Sequence, residues 1–294
     1  MNTKLTEFFG FPLEIKDEDA QYHRKNSFCP FESGNLVCHK TLQKERSAPV
    51  GSCSAYDYNK NSPLLICPTR FKERNNAILN DIAMFFWGTT ENIFSLEQEL
   101  KLQTPNSQNF GNVDKILVKA QRINNEFVVD DFIAIEFQTV NITGTLENEI
   151  IDAFEITKIP TPKGLSKNSR YTPGFNKYDS IKALYVQLLR KLQPLKHWNK
   201  KTAIVMQDIL YDDMTSRFGA NFTDQSNQLI TFFVYNIDTQ SKPQYSLVLT
   251  KKVSVSFEDI INAITNTPVQ ELPDLKIITE KIASKLREQN SLNQ

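Results

Sequence analysis

The sequence has few glycines and no long apolar segment. Nine glycines among 294 residues argue against an architecture of Gly-rich loops that cradle phosphates. No apolar run approaches the roughly 20 residues that a membrane-spanning helix needs. The N-terminus has too short an apolar stretch and too many acidic residues for a signal peptide. We therefore expect a cytoplasmic globular protein.

The chain also has no net charge, because 34 Lys and Arg residues balance 34 Asp and Glu residues. Residues 156–201 nevertheless contain eleven basic residues and one acid, Asp179, so this segment carries +10 and the remainder −10. A phosphate backbone is attracted by a local patch rather than by the charge of the whole chain. The segment is therefore either a DNA-binding element or a solvated loop and helix face. If it binds DNA, the candidate contacts are Lys167, Arg170, Lys177, Arg190, Lys191, Lys196, Lys200 and Lys201.

Cysteine is absent after residue 67, and the four cysteines Cys29, Cys38, Cys53 and Cys67 lie within 39 residues. Disulfides are not expected in a cytoplasmic protein. Four thiolates around one metal ion would hold together a segment that is too polar to build its own core. The spacings match no double CxxC motif, so four unrelated buried thiols are the alternative, and His23 or His39 could replace one ligand. We predict a metal-binding N-terminal region at residues 1–70, followed by a second domain at residues 71–294.

The hydrophobic pattern becomes regular after residue 70. Residues 71–88 have apolar side chains at helical spacing and end at Gly88, which predicts a helix. Residues 113–120 and 126–140 are β-branched and aromatic runs on either side of a turn candidate. This arrangement predicts an antiparallel hairpin.

A second helix is predicted from about residue 180, with Asp179 or Ser180 as its cap. Its apolar stripe consists of Ile181, Leu184, Tyr185, Leu188 and Leu192. Strands are predicted at residues 202–211, 229–237 and 247–257, and helices after Ser256 and within residues 274–290. This order predicts an α/β (α+β) fold in which helices flank a mixed β-sheet.

The predicted strand at residues 126–140 carries two polar residues in an otherwise apolar run. Glu136 and Gln138 are two residues apart and therefore share one face of the strand. Hydrolysis of a phosphodiester uses a divalent ion, which carboxylates and waters hold. Glu136 can be one ligand, and Asp114 on the neighbouring strand can be the other. Gln138 can orient the attacking water, although its amide cannot take up a proton.

Asp114, Glu136 and Gln138 together form a D…ExQ pattern, a variant of the D…ExK pattern of the PD-(D/E)xK nucleases. Asp130 and Asp131 are rival acids. Asp131 lies about 17 Å from Glu136 along the same strand, by the rise per residue, which is too far to share an ion. Asp114 is therefore the preferred partner of Glu136.

Several stretches of the sequence together resemble the NotI-type restriction endonucleases. The similarity runs from about Phe28 to Tyr211. It is carried by FCPFESGNLVCHK, GSCSAY, ICPTRF, VDKILVKAQ, DFIAIEFQTVNITGT and YTPGFNKYDSIKALYVQLLRKLQPLKHWNKKTAIVMQDILY. The most specific elements are the IEFQTV…TGT strand and the cysteine block that ends in CPTRF.

The resemblance implies a homodimeric, Mg²⁺-dependent type II enzyme of the bacterial cytoplasm that cuts both strands of DNA at a specific, palindromic site. It implies a PD-(D/E)xK core with a small cysteine-metal subdomain before it. Asp114, Glu136 and Gln138 map onto the family's catalytic residues, with Asp114 and Glu136 as the Mg²⁺ ligands. The four cysteines map onto thiolates that hold a structural iron. The nine-residue step from Cys29 to Cys38 is longer than a CxxC knuckle, and a thiolate set suits iron or zinc.

Two other functions remain open from the sequence. One is a PD-(D/E)xK nuclease of DNA repair or mobile-element processing, which would lack a specific duplex site. The other is a metal-stabilised DNA-binding protein without catalytic activity. Digestion of mixed-sequence plasmid with Mg²⁺ distinguishes the three functions, since they predict discrete bands, a smear and intact DNA respectively.

Overall fold

The computed structural model of the protein describes most of the chain. The described residues are 3–43, 46–72, 76–96, 98–104, 106, 108–124, 126–163, 165–167, 173–217, 222–225, 227–265 and 274–282. The helices are α1 (Glu18–Asn26), α2 (Ala77–Trp87), α3 (Glu147–Thr157), α4 (Lys177–His197), α5 (Asp208–Arg217) and α6 (Phe257–Thr265). A 3-10 turn spans Pro68–Phe71, and residues 275–282 are also helical.

The strands fall into one large sheet, one smaller sheet and three short two-stranded pairs. In chain order they are β1 (Leu5–Phe8), β2 (Phe11–Pro12), β3 (Thr41–Gln43), β4 (Arg46–Pro49), β5 (Ser52–Asp57), β6 (Ser62–Leu65), β7 (Ile93–Ser95), β8 (Leu100–Gln103), β9 (Asn109–Val113), β10 (Lys115–Ile123), β11 (Glu126–Gln138), β12 (Asn141–Thr143), β13 (Gly174–Asn176), β14 (Lys201–Gln207), β15 (Ile230–Asp238) and β16 (Ser246–Val255).

The central sheet has six strands in the order β16-β15-β14-β11-β10-β7. β10 is antiparallel to both of its neighbours, β7 and β11. β14 is parallel to both of its neighbours, β11 and β15, and β16 is antiparallel to β15. The sheet is therefore mixed, as predicted. The parallel step from β11 to β14 requires a long crossover, which contains α3 and α4.

Helices cover both faces of this sheet. Ile133 and Ile135 of β11 face one side, where they share a buried core with Ile78 and Ile82 of α2. Ala134 faces the other side, in a core formed largely by α4, α5 and α6. Successive residues of β11 alternate between the two cores because side chains in a strand have a period of two. The predicted mixed α+β fold with flanking helices is confirmed.

The predicted hairpin and helices are present in the described residues, although residues 283–290 of the last predicted helix lie outside them. The predicted strand at residues 202–211 is too long, because β14 ends at Gln207 and α5 begins at Asp208.

The helix predicted within residues 71–88 begins at Ala77. α2 ends where Gly88 adopts a φ of +66° and its N–H bonds the carbonyl of Met84. The five residues of the predicted α4 stripe are all buried. The predicted cap of α4 is wrong, however, because the helix begins three residues earlier and Asn176 accepts the amide of Asp179. The side chain of Asn176 satisfies the N–H of Asp179 in the first turn, whereas Asp179 and Ser180 lie inside the helix and cannot be its N-cap.

The smaller sheet consists of four strands of the N-terminal region in the order β2-β1-β5-β6, and this region packs against the rest of the protein. The buried Glu7 carboxylate accepts hydrogen bonds from Arg70 at 3.1 and 3.3 Å, and Arg70 also reaches the carbonyl of Tyr245 at 2.6 Å. Gln207 of the central sheet bonds the backbone of Leu65 and of Pro63. These contacts join the cysteine-containing region to the central sheet. The domain boundary at residue 70 stays a prediction.

Candidate active site

Asp114 lies on a bend between β9 and β10, next to the end of β11. Its Oδ2 accepts a hydrogen bond of 2.9 Å from the backbone N–H of Phe137. Lys115 pairs with Ile135 in the antiparallel register, so the next position along the ladder sets Asp114 beside Glu136. Burial raises the pKa of the Asp114 carboxyl, and the N–H of Phe137 opposes that rise. The hairpin thus brings together two acids that are 22 positions apart in sequence.

Glu136 is a buried carboxylate in which one oxygen is hydrogen-bonded and the other is not. Its side chain lies on the α4 side of β11, and 3% of the residue is exposed. Oε2 accepts from Nζ of Lys191 at 2.6 Å, whereas Oε1 has no hydrogen-bond partner among the described residues. Burial and the negative charge of Asp114 raise the pKa of Glu136 to about 8, against the opposing effect of Lys191.

Gln138 follows on the same face and lines a polar cavity of about 610 Å³. Its Nε2 donates to the carbonyl of Thr139 at 3.1 Å. Within the described part of the chain its Oε1 makes no hydrogen bond. The cavity also contains Asp114 and Glu99, and it is bounded by Thr69 of the CPTRF segment and Gln187 of α4. Asp114 is the member of the acidic pair that lines this cavity.

Two charged residues beside the acidic pair were not assigned to this site from the sequence. Glu99 lines the cavity, and its negative charge adds to the rise in the pKa of both Asp114 and Glu136. Glu99 directly precedes the short strand β8, and no sequence pattern indicated it. Lys191 was a candidate DNA contact, but the structure buries it against Glu136. Its position three residues after Leu188 and seven after Leu184 puts it on the buried face of α4.

The rival acids lie near the middle of β11, before the apolar residues that precede Glu136. Asp131 accepts hydrogen bonds from Lys200 at 2.6 Å and from the indole N–H of Trp87 at 2.9 Å. Asp130 accepts from the amide of Gln121 at 3.3 Å. The structure does not bring either residue to Glu136.

Most described basic residues of the segment 156–201 have partners that neutralise them. Ion pairs join Lys167 to Asp152 and Glu155, Lys177 to Asp57, Lys182 to Asp179, Lys191 to Glu136, Lys196 to Glu258 and Lys200 to Asp131. Lys201 donates to the carbonyl of Gln228 at 2.9 Å. Arg190 is exposed and has no ion pair within the described ranges. Arg170 lies outside the described residues.

The four cysteines are free and buried in the N-terminal region. Cys29, Cys38 and Cys53 share one hydrophobic core. Burial raises the pKa of each of these three thiols, and the other cysteines of the set raise it further. Lys40 is also close, since its interaction with these cysteines raises its pKa against the stronger lowering by burial. No three or more His, Cys, Asp or Glu side chains of the described residues come close enough to hold a metal ion.

The two histidines considered as replacement ligands have other surroundings. His23 packs against Phe11 and lies 3.5 Å from Asp19. His39 is exposed and lines the cavity that contains Asp114.

A comparison with protein families identifies the chain as a restriction endonuclease. The family described as Restriction endonuclease NotI matches residues 14–247 of the 294-residue chain. The chain therefore belongs to the NotI restriction endonuclease family. It is a type II enzyme that cleaves DNA at a specific site. A comparison with curated proteins gave no match.

The family match confirms the resemblance predicted from the sequence motifs. The matched range includes the acidic pair, Gln138 and all four cysteines. Among the helices of the described residues, none has both the length and the apolar character required to cross a lipid bilayer.

Proposed function

We propose that this endonuclease cuts DNA with Mg²⁺ held by Asp114 and Glu136, in a PD-(D/E)xK core formed by the central sheet. One observation carries the proposal: Asp114 accepts the N–H of Phe137, the residue after Glu136, and the buried Oε1 of Glu136 has no partner in the described part of the chain. A buried acceptor without a donor is costly unless a ligand completes it. Carboxylate oxygens are the ligands that Mg²⁺ prefers, so the residues present fit this ion.

The bound ion would supply hydroxide and neutralise negative charge on the scissile phosphate. Asp114 and Glu136 each use one oxygen to stay in place, which leaves the other for the ion. Gln138 lines the cavity and is fixed through its Nε2, and its amide oxygen would accept a hydrogen bond from the attacking water. Because Gln138 cannot take up a proton, it orients the water and does not act as the base.

The four cysteines would hold a second, structural metal ion, iron or zinc. Four thiols are the donor set of such a site. In this chain they are buried, and Cys29, Cys38 and Cys67 raise the pKa of the Cys53 thiol, so they would repel one another as thiolates, although the described side chains do not close into a metal-binding group. A bound cation would remove that repulsion. The positive charge of Lys40 beside them favours the thiolate form in the same direction.

The enzyme would act as a homodimer. Each chain presents one acidic pair within the described residues, and cleavage of a duplex requires attack on one phosphate in each strand. Two copies related by a two-fold axis would place one site on each strand of a palindromic sequence. Light scattering should give a mass of twice the 33.8 kDa chain for the free protein, and the same protein mass plus one duplex for the DNA complex.

Plasmid cleavage tests the whole proposal. The wild-type protein should produce discrete bands in Mg²⁺ and leave the plasmid intact in EDTA. Glu136→Ala should leave the plasmid intact in Mg²⁺ and still bind the duplex when Ca²⁺ replaces Mg²⁺. Cleavage by Glu136→Ala at the wild-type rate would show that the active site lies elsewhere in the protein.

A further inference from the structure

Lys191 is a lysine in the interior of the protein. It lies on α4 and is 6% exposed, and its Nζ is 2.6 Å from Oε2 of Glu136. An exposed ion pair of this length contributes little to the stability of a protein. A buried pair restrains both partners, because either group alone would remain buried without its counter-charge. Lys191 therefore holds one oxygen of Glu136 in a single place.

The stem of Lys191 is fixed as well as its charge. Gly111 of β9 packs over it: a Cβ at position 111 would lie 3.1 Å from Cε and 3.3 Å from Cγ of Lys191. Gly111 also has a φ of +117°, which other residues rarely adopt. β9 and α4 thus enclose the stem between them. Lys191 is a fixed cation and not one that moves freely on the surface.

The strand that holds Glu136 supplies no cation of its own. Its next polar residue on the same face is Gln138, which is uncharged. The acidic pair, with Glu99 close by, would face a negatively charged phosphate. Lys191 brings a positive charge to this site from α4, which is 55 positions away from Glu136 in sequence.

We infer that Lys191 is a positioning residue for Glu136: it holds Oε2 so that Oε1 faces the divalent ion, and it supplies the positive charge that the Glu136–Gln138 strand lacks. The inference rests on the proposed function, because it requires Glu136 to bind the ion. Partners that orient a metal ligand change metal affinity or activity by about 10–100-fold when they are removed.

The test measures Mn²⁺ binding by calorimetry without DNA, together with plasmid cleavage at saturating Mg²⁺. Mn²⁺ suits the same oxygen ligands as Mg²⁺. Lys191→Met keeps the stem and removes the ammonium, so Mn²⁺ affinity should fall about 10–100-fold and cleavage should fall with it. Lys191→Arg should restore part of both. Lys251→Met, the same change at an exposed position of β16, should behave as the wild type.

A second variant keeps the ammonium and disturbs its position, although it also strains β9 because Gly111 has a φ of +117°. Gly111→Ala would place a methyl group against the stem of Lys191, so it should weaken Mn²⁺ binding in the same direction. If Lys191→Met retains the circular dichroism and melting behaviour of the wild type but binds Mn²⁺ equally well or more tightly, the inference is wrong. If Lys191→Met does not fold, unchanged Mn²⁺ binding by Gly111→Ala overturns it.

Glu136→Ala separates this inference from the proposed function. If Glu136→Ala binds Mn²⁺ and cleaves DNA as the wild type does, the proposed function fails. If it loses both while Lys191→Met keeps both, only the role of Lys191 is wrong. The double variant should bind Mn²⁺ no more weakly than Glu136→Ala alone, because Lys191 acts through Glu136.

Discussion

Asp114 and Phe137 are joined by a hydrogen bond of 2.9 Å, in which Oδ2 of Asp114 accepts the backbone N–H of Phe137. Phe137 lies between Glu136 and Gln138, so this bond ties the acid on the β9–β10 bend to the adjoining strand. The side chain of Phe137 faces away, where it stacks on Phe71 at 5.5 Å between ring centroids. The backbone of Phe137 therefore holds Asp114 in the acidic site, while its ring packs in the core on the opposite face of the sheet.

Asp114→Asn should abolish cleavage without unfolding the protein. Asparagine retains an oxygen that can accept the N–H of Phe137, but it removes the negative charge that a divalent ion requires. The charge stabilisation lost is several kcal/mol, so single-turnover cleavage should fall more than about 100-fold. Asp131→Asn is the matched control, and it should cut at close to the wild-type rate. Full activity of Asp114→Asn together with an inactive Asp131→Asn would show that Asp131, and not Asp114, is the second metal ligand.

Mg²⁺ dependence should vary with pH because the pKa of Glu136 is about 8, raised by burial and by Asp114. Below that value the ion must displace a proton from the carboxyl. The Mg²⁺ concentration for half-maximal cleavage should therefore fall about tenfold per pH unit as the pH rises toward 8, and it should level off above 8. Equal Mg²⁺ requirements at pH 6.5 and 7.5 would contradict this assignment.

The same raised pKa affects the stability of the metal-free protein. The folded protein holds the Glu136 proton more tightly than the unfolded chain, whose glutamate has the ordinary pKa of 4.5. This stabilising contribution is complete below pH 4.5 and is lost as the pH rises through about 8. Urea unfolding in EDTA should show less of this loss for Glu136→Gln, which has no proton to release.

The sequence predicts the parts of this site that follow from local periodicity. The spacing of Glu136 and Gln138 placed them on one face of β11, and the hairpin placed Asp114 beside them. Lys191 is buried because it lies on the apolar stripe of α4, a position that its charge alone does not indicate. The pairing of Lys177 with Asp57, 120 positions apart, could not be predicted from local charge, since only the packed fold brings these residues together.

Arg70 of the CPTRF segment should be a determinant of stability. Arg70 and Glu7 have side chains that are 0% exposed, and removal of one partner of a buried pair costs about 3–5 kcal/mol. Arg70→Met should lower the free energy of unfolding by about that amount in urea titrations. Lys242→Met is the matched control, since it breaks an exposed pair with Glu14 that is worth about 0–1 kcal/mol. Equal effects of the two substitutions would show that burial does not set the strength of the Arg70 pair.

Purified protein should contain about one iron or zinc ion per chain, and this ion should remain bound during dialysis against dilute EDTA. Cys53→Ser should lose this ion and melt at a lower temperature, because a hydroxyl is a poor replacement for a thiolate ligand. Ser52→Ala is the neighbouring control; its Oγ is buried without a hydrogen-bond partner in the described residues, so its removal should leave the metal content unchanged. Wild-type protein grown in metal-replete medium that contains no transition metal would contradict the proposal.

The salt dependence of DNA binding should distinguish the exposed basic residues from the paired ones. Arg190 is exposed and has no ion pair in the described part of the chain, whereas the ammonium of Lys177 lies 2.7 Å from the buried Asp57 carboxylate. A residue that contacts phosphate releases a counterion, so Arg190→Gln should reduce the slope of log Kobs against log salt by about one, equally for specific and random duplexes. Lys177→Gln should keep the wild-type slope and instead destabilise the protein, because Asp57 would stay buried without its cation. The reverse result, a lower slope for Lys177→Gln alone, would mean that the Lys177–Asp57 pair separates when DNA binds and that Lys177 then contacts phosphate.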